Sequence, residues 1–157
     1  MKDAILESVL KFYKRKPRPT DYTRGYKEGR EDFLSASIKI YGKTTPQIRK
    51  IAQRLDVKPK GLRAINEYAG EYNFTDPCFP NESIEYLSAY NHASEKGLYT
   101  AFQVFGTITP EMGLIVHELR IKPRYFREMI EDAALKKIIN DSEIDNVIKA
   151  LDNAYHG

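Results

Sequence analysis

The chain has 157 residues, 41% hydrophobic and 30% charged, which suits one ordinary domain or two small ones and excludes a disordered chain. No apolar run approaches the roughly 20 residues that span a bilayer, and MKDAILESVL lacks the basic-then-apolar pattern of a signal peptide, so no membrane partner is expected. One cysteine, Cys78, allows no intrachain disulfide, and a reducing cytoplasmic location is expected.

The net charge of +3 conceals a division. Residues 1–70 carry 17 Lys+Arg against 8 Asp+Glu, a net +9, whereas residues 71–157 carry 8 against 14, a net −6. Such asymmetry speaks to partners rather than to fold: the first half suits a polyanion, and the second does not.

Asp3 to Tyr13 has helical spacing, with Ile5, Val9 and Tyr13 on one stripe. In the next segment, KRKPRPT, Pro17 and Pro19 prevent helix continuation. That leaves Lys14, Arg15, Lys16 and Arg18 on an extended arm, able to follow phosphates or to serve as a solvated linker. Asp21 to Tyr41 is expected to be a helix with Tyr22, Tyr26, Phe33, Ala36 and Ile40 inward. Gly25 and Gly29 weaken it by roughly 1 kcal/mol each relative to alanine. Its end, SIKIY, also alternates like a strand, and Gly42 is a natural C-cap.

Residues 45–69, TPQIRKIAQRLDVKPKGLRAINEYA, organise the rest. Thr45 caps a helix with Pro46 at its first position, and Ile48, Ile51, Ala52 and Leu55 form its apolar face. Asp56-Val57 make a turn, and Lys58-Pro59 start a second short helix with Leu62 and Ile65 inward. Shifted by 64 positions, YGKTTPQIRKIAQRLDVKPKGLRAINEYA from Tyr41 aligns without a gap with FGTITPEMGLIVHELRIKPRYFREMIEDA from Phe105. The Gly, Thr-Pro, Ile, Leu and Lys-Pro positions coincide, as expected of a duplicated unit.

Glu71 to Pro80 has no useful periodicity and is expected to link a unit at 1–70 to one at 81–157. Asn81 or Ser83 opens a helix to Phe105 with Ile84, Leu87, Leu98, Ala101 and Phe105 inward. The second short pair follows, its last helix continuing through Leu135 to Ile139. Ser142 with Asp145 resembles a capping box. Ile144, Val147, Ile148, Leu151 and Tyr155 then make a final amphipathic helix that closes the second core or pairs with a partner chain, such as a second copy in a homodimer.

Each short pair resembles the helix-turn-helix unit of DNA-binding proteins, over about two dozen residues. The expected fold is therefore all-α: two tandem three-helix helix-turn-helix repeats plus N- and C-terminal helices. The resemblance places the second helix of a pair in the major groove of double-stranded DNA. In the first pair its start carries Lys58, Lys60, Arg63 and Asn66; arginine can bond bidentately to guanine and asparagine to adenine. Arg49, Lys50 and Arg54 on the preceding helix are placed for phosphates. The second pair offers Arg120, Lys122, Arg124, Tyr125 and Arg127, opposed by Glu111, Glu118, Glu128 and Glu131, so it is expected to bind DNA weakly or to bind protein.

No glycine-rich phosphate loop, nucleophile elbow or HExxH pattern occurs, and no cofactor is expected. His92, His117 and His156 lack zinc spacing, so no metal is expected. Asp76, Glu82 and Glu85 form a loose acidic group of the kind a metal-dependent nuclease would need to converge. The expectation is a sequence-specific DNA-binding protein, not an enzyme, with transcription regulation as its role. Replication, partition or packaging would give the same features. The alternatives are a helical interaction module, for example one binding RNA polymerase through the acidic half, and a small nuclease.

Overall fold

The computed structural model describes residues 20–69, 82–139 and 144–157. The expected N-terminal helix, the basic arm, the linker, Cys78 and the Ser142 cap lie outside the described residues. Seven helices and no strand occur among those described: α1 (Asp21–Tyr41), α2 (Pro46–Arg54), α3 (Pro59–Tyr68), α4 (Ile84–Phe105), α5 (Pro110–Glu118), α6 (Pro123–Leu135) and α7 (Ile144–His156). The fold is all-α.

Side-chain oxygens start three of these helices. Thr20, Thr45 and Ser83 each accept a backbone N–H three residues on, all at 3.2 Å. Gly42 and Gly106 close α1 and α4 in the left-handed region, at φ 79° and 68°. SIKIY is helical, its alternation overridden by the burial of Ser35 to Ile38 within α1.

The turns inside the two short pairs match bond for bond. Val57 N–H donates to the Ala52 carbonyl at 2.9 Å, and Ile121 N–H to that of Val116 at 3.0 Å. The residues before them, Asp56 and Arg120, sit at φ 60° and 56°, which completes the same left-handed helix stop in both. A third such stop ends α6 at Leu135 rather than at Ile139. Lys137 has φ 56°, and Ile138 N–H folds back to the Ala133 carbonyl at 2.9 Å.

Helices α1 and α4 run parallel, in contact along their lengths: Arg24 binds Glu82, Asp32 meets Tyr90, and Tyr41 stacks on Phe105 at 5.7 Å. The approach is close because glycines line it. A Cβ on Gly25 would overlap the Tyr86 carbonyl, one on Gly29 would lie 2.7 Å from the Tyr90 carbonyl, and one on Gly97 would lie 2.6 Å from the Phe33 ring. The inward line of α1 thus begins with Gly25 and Gly29, not with Tyr22, which is exposed. Ile84, expected inward on α4, is 84% exposed, and Tyr86, Ala89, Tyr90 and Ala93 are buried instead. The short helices cross over: α2 packs on α4, and α5 on α1, where Lys39 Nζ lies 3.1 Å from Glu118 and Tyr41 OH lies 2.9 Å from Thr109 Oγ1. Phe33, Ile48 and Leu62 share one core with Phe102, Met112 and Phe126, so the two halves are not separate bodies.

This interface carries a titrating group. Asp32 accepts the Tyr90 hydroxyl at 2.5 Å, yet burial, with Glu28 and Glu31 nearby, lifts its carboxyl to about 6. A carboxyl raised on folding stabilises the fold below its unfolded value near 4 and loses that contribution as pH rises through 6. Asp32→Asn keeps an acceptor for Tyr90 and removes the buried charge. It is expected to raise unfolding free energy at pH 7 by on the order of 1–2 kcal/mol and to flatten its decline between pH 4 and 6, read by urea titration.

Candidate nucleic-acid interface

The first short pair turns a basic face outward. Ile48, Ile51 and Ala52 of α2 and Leu62 and Ile65 of α3 are buried, which leaves Arg49, Lys50, Arg54, Lys58, Lys60, Arg63 and Asn66 exposed. None of the six cations forms an ion pair among the described residues. Residues 46–68 hold these six against two carboxylates, Asp56 and Glu67. Of the candidate contact residues of the first pair, Arg49, Lys58, Arg63 and Asn66 are brought together around one cleft, while Lys50, Arg54 and Lys60 are exposed outside it.

Between α2 and α3 that face opens into a cleft of about 940 Å³. Ala52, Val57, Pro59 and Leu62 make an apolar floor, and Thr44, Arg49, Gln53, Asp56, Lys58, Arg63 and Asn66 make a polar rim in which Asp56 is the one carboxylate. Across it, Thr44 Oγ1 donates to Asn66 Oδ1 at 2.7 Å.

The matching place in the second pair is filled. There α7 packs on α5 and α6. Its line of contact is Ala150 and Ala154, with the expected Val147 and Leu151 half-buried against the core beside them, while Ile144 and Ile148, expected inward, are 76% and 58% exposed and Tyr155 is 49% exposed. The small face turns in because the helices nearly touch: a Cβ on Gly113 would overlap the Ala150 carbonyl. Asn153 Nδ2 donates to the Pro110 carbonyl at 2.9 Å and fixes the seat. At the positions 64 residues earlier, Ile108, Gly113, Val116, Phe126 and Ile130 become Thr44, Arg49, Ala52, Leu62 and Asn66. Ile108, Val116, Phe126 and Ile130 are buried, whereas Arg49 and Asn66 are exposed. Arg49 stands where α7 requires glycine, so the first cleft cannot seat a helix in this manner.

No family model, curated protein or solved structure matches the chain.

In the second pair Lys122, Arg124, Tyr125 and Arg127 are exposed, with Arg124 held 3.4 Å from Glu128. Residues 110–132 hold four cations against five carboxylates. Lys14, Arg15, Lys16 and Arg18 lie outside the described residues. The acidic group is not assembled among those described: Asp76 lies outside, and Glu82 is bound by both guanidinium nitrogens of Arg24, which holds its carboxyl below the usual range. No cluster of three or more His, Cys, Asp or Glu able to hold a metal occurs among the described residues, and no described helix is long and apolar enough to cross a membrane. Thr44 and Gln53 join the cleft without having been singled out by sequence. Their signal lay in the differences between the aligned stretches, above all Thr44 against Ile108.

Proposed function

We propose that the chain binds double-stranded DNA through the first short pair and acts as a sequence-specific regulator. The observation that carries this reading is the set of six exposed cations on the first pair, three of which (Arg49, Lys58 and Arg63) line an open, polar-rimmed cleft at the place where the second pair is apolar and closed by α7. Lys50 and Arg54 on α2 meet phosphates, which set register and supply most of the salt-dependent affinity. Lys58, Lys60 and Arg63 reach base edges from the cap and first half of α3, and Asn66 from its last turn. The second pair contributes phosphate contacts from Lys122 and Arg127 and little base reading.

Titrating duplex binding against salt tests the proposal. Affinity is expected to fall linearly with log salt, and Lys50→Ala should lower the slope by about one unit on specific and random DNA alike. An affinity indifferent to salt would reject it.

A second reading, a helical module that binds another protein through the acidic half, is favoured by the exposed stripe of Ile144, Ile148 and Tyr155 on α7. It requires loss of partner binding on Ile148→Asp with DNA affinity unchanged.

A further inference from the structure

An asparagine free on a recognition helix offers one donor and one acceptor, the pattern that pairs bidentately with adenine N6 and N7. Asn66 is not free in that sense. Its Oδ1 accepts the Thr44 hydroxyl at 2.7 Å, from the residue just before the α2 cap. Its Nδ2 has no partner among the described residues and is the end of the amide left to act. The bond joins the lead-in to α2 with the last turn of α3; both partners line the cleft, and Asn66 lies one helical turn from Arg63.

The second pair shows what the fold needs at these two positions. There they are Ile108 and Ile130, both buried in the apolar core. A threonine and an asparagine facing each other are thus not required to build the pair. The paired replacement leaves a polar group with fixed orientation at the mouth of an open cleft.

We infer that Thr44 is a positioning residue that sets base preference at one position of the bound DNA, by holding the Asn66 amide with its N–H₂ outward. This inference rests on the DNA reading above. Two outward donors match guanine, whose N7 and O6 both accept. They match adenine poorly, because its N6–H₂ would face the amide N–H₂, and cytosine worse, because N4–H₂ is a donor.

Selection of duplexes from a randomised pool by the full chain, followed by sequencing, tests this. Wild type is expected to show one position where guanine exceeds adenine by about tenfold or more. Thr44→Val keeps the branched shape and removes the donor; Oδ1 is then free, and the ratio should fall to about one or reverse. Thr44→Ser restores the hydroxyl and should restore guanine. Asn66→Ala should level the four bases at that position and leave the others unchanged. A melting curve for each variant separates a reading effect from general loosening, which would relax every position together. Adenine at that position in wild type, or an unchanged ratio in Thr44→Val, would overturn the inference while leaving DNA binding intact. Failure of wild type to enrich any duplex would defeat the DNA reading, and the inference with it.

Discussion

Arg63→Ala is expected to weaken binding to the preferred duplex by roughly 1–3 kcal/mol and to relax preference at one base position. Arg127→Ala, the matching change in the second pair, is expected to cost less and to leave base preference unchanged, because it removes a phosphate contact rather than a base contact. The contrast follows from surroundings rather than residue type. Arg63 stands on the rim of an open cleft among exposed cations without ion pairs. Arg127 shares α6 with Glu128, Glu131 and Asp132, and the cleft beside it is occupied by α7. Dissociation constants on one selected site measure both. Loss of binding on Arg127→Ala with none on Arg63→Ala would assign the reading helix to the other pair.

Gly113→Ala should be among the most damaging single-methyl changes in the molecule. The added carbon overlaps the Ala150 carbonyl, which is backbone and cannot rotate away, so α7 must lift from α5. Overpacking of this kind costs about 1–3 kcal/mol, against a gain in helix propensity of about 1 kcal/mol. Release of α7 exposes Ile108, Val116 and Ile130, and the variant should be cut early within residues 136–157 by a dilute protease and should tend to aggregate. It should not gain DNA affinity, because the uncovered cleft is apolar. Arg49→Gly makes the reverse exchange on an exposed surface and should lose only about 1 kcal/mol of stability, from helix propensity. Thermal melts and limited proteolysis of the two variants read both expectations, and a Gly113→Ala protein as stable as wild type would remove the basis for a closed second cleft.

Helix type and most boundaries were legible from caps and breakers. Thr45-Pro46, Thr109-Pro110, Lys58-Pro59 and Lys122-Pro123 mark starts because proline at the first helical position needs no N–H partner, and Thr45 adds a side-chain cap. The inward faces were less legible where helices touch through small residues. Periodicity weights large apolar side chains, so it turned Tyr22, Ile84, Ile144 and Ile148 inward. Close backbone approach instead selected Gly25, Gly29, Gly97, Gly113, Ala150 and Ala154. The end of α6 was misread because Lys137 takes a left-handed conformation that its residue type does not announce. The candidate site was visible as a concentration of charge, but not as a cleft. That required knowing that α7 fills the second pair and that Arg49 denies the same seat in the first.

Backbone amide shifts measured as a duplex is titrated into the isotopically labelled chain test most directly whether the first pair meets DNA while the second cleft stays closed. Perturbations concentrated on Thr44, Arg49, Lys50, Lys58, Arg63 and Asn66, with Ile108, Gly113, Val116, Ile130 and α7 unmoved, are the predicted result. Perturbations centred on Arg120 to Arg127, or none at low salt, would contradict it.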